Sequence, residues 1–135
     1  MKIQPFPHQV KLKIHLVVNP SEDVEKLKEA VVKIMGNITL NLSNDGRTLQ
    51  GESDDQRHLY ILYEQIRARQ TMGVVRRLLI KNSSEECTWL YFNRQAAYVG
   101  VVSICEEERE SPLGPIRLDI CTPKLSEFID WLAPV

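Results

Sequence analysis

A chain of 135 residues with 43% hydrophobic content fits one domain, residues 1–135, with a core of its own. Its formal charge of −1 and pI near 6.3 exclude a surface that is a nucleic-acid footprint throughout, so any site for a polyanion has to be local. No apolar run approaches the roughly 18 residues of a membrane span, and the N-terminal MKIQPFPHQV lacks the apolar stretch of a signal peptide, so a cytoplasmic protein is expected.

In chain order, Val10, Leu12, Ile14 and Leu16 alternate with Lys11, Lys13 and His15, which predicts a first strand with a basic outer face. Asn19 or Ser21 is then expected to cap a helix in which Val24, Leu27, Val31 and Ile34 recur at three and four, ending near Gly36. Ile38, Leu40 and Leu42 predict a second strand, and Asn44-Asp45-Gly46 a hairpin into a third over Thr48 to Gly51.

Ser53-Asp54-Asp55-Gln56 reads as a capping box opening a helix with Leu59, Leu62 or Tyr63, and Ile66 inward. Thr71 and Gly73 break that pattern before Val74, Val75, Leu78 and Leu79 resume it, so two helices or a kink are expected. Lys81 to Glu86 is a polar loop.

The Trp, Tyr, Phe, Val and Ile content of Cys87–Phe92 and Ala97–Ile104 predicts two strands joined by a hairpin at Asn93-Arg94-Gln95, with Gly100 a bulge or close approach. Ser111-Pro112-Leu113-Gly114 fits a type I turn, after which Ile116, Leu118 and Ile120 alternate in a further strand. Thr122-Pro123 is expected to start a last helix with Leu125, Phe128, Ile129 and Leu132 inward.

The order β-α-β-β-α-α-β-β-β-α implies an α+β fold, a largely antiparallel sheet with helices packed on one face. Trp89, Phe92, Val99, Val101, Ile116, Leu118 and Ile120 are expected in the core or a subunit interface.

No catalytic, cofactor-binding or metal-ligating set emerges. Three histidines lack the spacing of a metal or nucleophilic site, and the phosphate-loop, dinucleotide, zinc-hydrolase and serine-hydrolase motifs are absent. Adjacent Asp54 and Asp55 cannot face each other on a helix and read as first-turn dipole partners. Cys87, Cys105 and Cys121, odd in number and without CxxC spacing, read as buried free thiols.

Charge is unevenly distributed. Arg57, Arg67, Arg69, Arg76, Arg77 and Lys81 stand against Glu64 alone between Gln56 and Lys81, a local +5 that leaves −6 for the rest. Arginine's planar fork suits phosphate, so this segment, with Arg94 in the Asn93-Arg94-Gln95 turn, is the candidate contact for RNA or a protein partner. The acidic run Glu106 to Glu110 is expected to be a solvated loop tip.

FNRQAAYVG, SPLGPI and the closing IDWLAP resemble an uncharacterised archaeal-specific protein family; SEDVEK at the first helix and LQG before the second agree with it. That resemblance covers nearly the whole chain. It implies a fold like the large-subunit ribosomal protein L-five, hence RNA-binding-like. Some family members carry a fused P-loop kinase-like domain, which implies a separately encoded P-loop kinase-like protein as a partner here. Apolar surface near Trp131 leads to the expectation of a homodimer. The function expected is a non-catalytic interaction module with weak or no specific RNA binding, because −6 elsewhere on a small domain repels a polyanion within about a Debye length. The alternative is an RNA-binding protein working through residues 57–81.

Overall fold

The computed structural model describes residues 2–135. Among these residues six strands form one antiparallel sheet in the order β2-β3-β1-β6-β4-β5. The central strands are β1 (Lys11–Val17), β6 (Ile116–Cys121) and β4 (Cys87–Phe92), and β3 (Thr48–Ser53) lies outside β1. The edges β2 (Asn41–Leu42) and β5 (Ile104–Cys105) are two residues each, short enough to offer little template for strand addition.

Alternation in the central strands decides which face is covered. Leu12, Ile14 and Leu16 of β1, Leu90 and Phe92 of β4 and Ile116, Leu118 and Ile120 of β6 are all buried. Against them pack α1 (Val24–Met35), α2 (Tyr60–Ala68), α3 (Met72–Lys81) and α5 (Leu125–Leu132), through Leu27, Ile34, Leu62, Leu79 and Phe128 among others. The fold class and the strand and helix order are thus as expected, with one element added.

That element takes the place of the expected hairpin turn and of the first part of an expected strand, which survives only as β5. Asn93 accepts a hydrogen bond from Ala96 N at 2.9 Å and caps a short helix, α4 (Arg94–Tyr98), where a hairpin turn was expected. Ala96 and Ala97 favour helix, and fully buried Ala97 seats α4 against α1. The run from 97 to 104 therefore contributes only Ile104 to the sheet, joined there by Cys105. Gly100 has φ +76 just past the helix, and Gln65 binds both sides of it, donating to Gly100 O and accepting from Val102 N. Val99, expected inside, is 75% exposed, and Val101 is half-buried.

Helix starts shift for local reasons. Asp23, not Asn19 or Ser21, caps α1, because Asn19 is bound to Glu22 and to Leu113 O. Asp55 rather than Ser53 caps the 3-10 turn Gln56–Leu59 that leads into α2. Thr122 accepts from Lys124 N, and α5 begins only at Leu125. Isoleucine 38 and Leu40 are buried but outside the ladder, which narrows the second strand to Asn41–Leu42. The break between α2 and α3 falls where expected, with Gln70 at φ +56. In the Ser111–Gly114 turn, Leu113 has φ +69, so the turn is type II rather than type I.

The cysteines depart furthest from expectation. Cys87 and Cys121 are directly opposite on β4 and β6, with Cα atoms 4.1 Å apart, and form a disulfide. Cys87 is exposed, and only Cys105 is a buried free thiol. A separation of 34 residues conceals the pairing from any spacing rule. Among the described residues no helix is long and apolar enough to cross a membrane.

Candidate functional site

Most of the cationic residues singled out in the sequence are engaged within the chain. Arg57 grips Asp55, with Nη2 to Oδ2 at 2.7 Å, and this bond together with the Arg57 amide lowers the Asp55 carboxyl to about 2. Arg67 lies over the Tyr63 ring and donates to the carbonyls of Tyr63, Trp131 and Leu132. Arg76 donates to Asp130 at 2.7 Å and to Ala133 O, and Arg77 is paired with Glu106. Three of the arginines thereby tie α2 and α3 to the last helix and to the acidic loop. Arg69 and Lys81 remain exposed without an ion-pair partner among the described residues.

Arg94 is not at the surface at all. Its side chain is fully buried beneath α4, with Nη1 2.5 Å from Glu22 Oε1 and 2.7 Å from Val17 O. Burial pulls its guanidinium below the ordinary value while Glu22 opposes the shift. Glu22 also accepts from Asn19, and Tyr98, its hydroxyl 3.4 Å away, is pushed above the ordinary tyrosine value by burial and then by Glu22. The pair locks the start of α1, the end of β1 and α4 together, which is a structural task.

The face of the sheet turned away from the helices gathers a different set. Strand alternation places Lys11, Lys13 and His15 on it from β1, Arg117, Asp119 and Cys121 from β6, and Cys87, Trp89 and Tyr91 from β4. The register lines up Glu52, Lys13, Asp119 and Trp89 in one row and Gln50, His15, Arg117 and Tyr91 in the next. Asp119 holds the Arg117 guanidinium through Nε and Nη2 at 3.0–3.2 Å, and that guanidinium lies 4.6 Å from the Trp89 ring centroid. Burial is the largest single influence and works to lower the Arg117 value, but the hydrogen bond to Asp119, its negative charge and Tyr91 together outweigh it and the net shift is upward. Tyr91 packs 4.6 Å from Trp89, is nearly buried, and donates to Glu108, so the acidic loop closes the β5 side of the face. Pockets of about 620 Å³ beside Lys11, Lys13, Glu52 and Cys121 and about 300 Å³ beside His15, Leu113 and Arg117 open on it.

The helical arginine signal was conspicuous in the sequence, whereas the Trp89–Arg117–Asp119 group was not. Arg117 and Asp119 lie on the wet side of a strand as expected, whereas Trp89, expected in the core or a subunit interface, is half-buried on this open face, and only the β1-β6-β4 order makes the three neighbours.

These features define an α+β protein whose sheet is backed by helices on one side and presents an open polar face on the other. Residues 11–122 match a family model described as RNA binding. The chain is 35% identical over 124 residues to a UPF0201 protein of Methanothermobacter thermautotrophicus, covering 92% of this chain and 91% of that one. It is 33% identical over 126 residues to the Sulfurisphaera tokodaii counterpart, covering 92% and 87%. A UPF0201 crystal structure from Methanococcus jannaschii superimposes with a TM-score of 0.79 at 26% identity, covering 93% of each chain. The crystal structure of another, uncharacterized UPF0201 protein gives 0.80 at 22% identity over 93% of this chain and 94% of that one. The chain belongs to the archaeal UPF0201 family.

Proposed function

We propose that this chain is a single-domain, non-catalytic RNA-binding module of the cytoplasm, and that RNA lies on the open sheet face rather than along residues 57–81. The observation that carries this is the contrast in charge use. Arg94 is buried and Arg67 and Arg76 are half-buried against partners within the chain, and the exposed Arg57 and Arg77 are paired with Asp55 and Glu106. Lys11 and Lys13, by contrast, stand exposed, with no ion-pair partner among the described residues, on the face turned away from the helices. The description of the matching family model supports an RNA ligand.

A second reading, a two-fold homodimer through the same face, is favoured by the alternation Glu52, Lys13, Asp119 along one row, since alternating charges are self-complementary under a two-fold axis. Fluorescence anisotropy with structured and unstructured RNAs at about 0.15 M salt tests the first reading. Lys11→Glu with Lys13→Glu is expected to abolish binding, and Arg69→Glu with Lys81→Glu to leave it within twofold. The reverse pattern would return the site to the helices. Sedimentation equilibrium reporting only the 15.6 kDa monomer at micromolar protein would remove the dimer.

A further inference from the structure

Resting on the RNA-binding reading, we infer that the ligand is unpaired RNA, and that one base stacks on the Arg117 guanidinium and Trp89 indole held together at the middle of the open sheet face. Recognition of double-stranded RNA runs through shape and backbone contacts spread over a broad cationic surface, whereas unpaired bases are taken up on aromatic rings and guanidinium planes. The open face suits the second mode. Its cations are few: Lys11, Lys13 and Arg117 stand against Glu52 and Asp119, and Arg117 is already paired with Asp119. A duplex would gain little from such a surface.

The planar group, by contrast, is preorganised. Asp119 fixes the guanidinium through two of its nitrogens, the indole lies beneath it at 4.6 Å, and Tyr91 packs against the indole at 4.6 Å. A long cationic side chain ordinarily gives up rotamer freedom on binding, and here that cost has already been met in folding. Arg117 keeps 37% of its side-chain surface open to solvent, which leaves a plane for a base. Lys13 faces Asp119 across β1 and β6, and Lys11 faces Cys121 two pairs further along the ladder and next on the same face, so two ammonium groups flank the stack on the β1 side, within reach of a phosphate backbone. On the β5 side Glu108 caps Tyr91, and Glu106 and Glu107 follow β5. The acidic loop repels the backbone there and confines the strand to a track over β1, β6 and β4.

The probes are fluorescein-labelled 12-nucleotide unpaired RNAs, one of uridines and one of adenines, and a hairpin duplex of matched length. A Trp131→Phe protein leaves Trp89 as the only tryptophan. The expected result is at least tenfold tighter binding of the unpaired RNAs than of the duplex, with Trp89 emission changing at saturation. Trp89→Ala should weaken binding of unpaired RNA by about five- to 160-fold, the fold-change of losing one stacked base, and Trp89→Phe should restore most of it. Asp119→Asn, which loosens the guanidinium without removing the ring, should weaken binding severalfold in a protein whose melting is close to wild type.

Equal or tighter binding of the duplex, with Trp89 emission unmoved, overturns this inference and leaves the RNA-binding reading standing. No binding of any of these RNAs overturns both. Trp89 emission that responds to protein concentration but not to RNA overturns the inference and gives the face to a second copy of the chain.

Discussion

Arg94 illustrates how a residue's type and its role part company. Arginine in a polar tripeptide reads as an exposed cation, yet its side chain is fully buried against Glu22. A buried pair is weak evidence of net stability, but removing one partner strands the other charge, at about 3–5 kcal/mol. Glu22→Ala is therefore expected to lower the unfolding free energy by about that much in urea titrations; a loss under about 1 kcal/mol would mean the guanidinium reaches water. Leu118 was legible throughout: alternation placed it inside, it is fully buried, and Leu118→Ala should cost about 2–5 kcal/mol through lost transfer energy plus the cavity. Cys105 carries the pH dependence at this scale. Burial, then Glu110, raises its thiol from 9.0 to about 11, so the folded state favours the neutral form. The resulting stabilisation is fully present below pH 9 and is lost as pH rises through 11. Native protein should accordingly leave Cys105 unalkylated by iodoacetamide at pH 8, while denaturant exposes it.

Elements were readable where one face repeats and unreadable where capping or long-range pairing decides. β1, β6, α1 and the broken α2–α3 pair follow from periodicity, because burial of one face selects period two or 3.6. The segment after Phe92 has strand-forming residues at 98, 99, 101, 102 and 104, and propensity favoured a strand there. What wins is local: the Asn93 cap, two alanines and the seating of Ala97 on α1. Asn93→Ala should cost about 0.5–2 kcal/mol, the usual range for a lost N-cap, and should weaken α4 more than the sheet, which hydrogen exchange at residues 96–98 would resolve. The Cys87–Cys121 disulfide was invisible because register, not spacing, opposes the two residues. Closing a loop of 34 residues restricts the unfolded chain by about 4 kcal/mol on the chain-entropy account. Denaturation with and without a dithiol reductant should differ by up to that amount, and equal midpoints would mean the bond adds nothing.

At the scale of the whole molecule, net charge near zero hides two differently organised surfaces. The sequence points to the dense cations of residues 57–81, but folding commits most of them internally, and the sparse ones on β1 gain weight because strand order sets them beside Trp89 and Arg117. The two arrangements differ sharply in how binding responds to salt. Each phosphate neutralised on a single strand contributes about −0.7 to the slope of log affinity against log salt. Lys11 and Lys13 together give a slope of about −1.4, or roughly a sevenfold loss between 0.05 and 0.2 M. Six freely exposed cations on the helical segment would give about −4, a loss of a few hundredfold over the same range. Anisotropy titrations of unpaired RNA across that range are expected to follow the shallow line, and to flatten further in Lys11→Gln with Lys13→Gln. A steep slope that those substitutions leave unchanged would show that the internal ion pairs of Arg57, Arg76 and Arg77 open on binding, and would move RNA from the sheet to the helices.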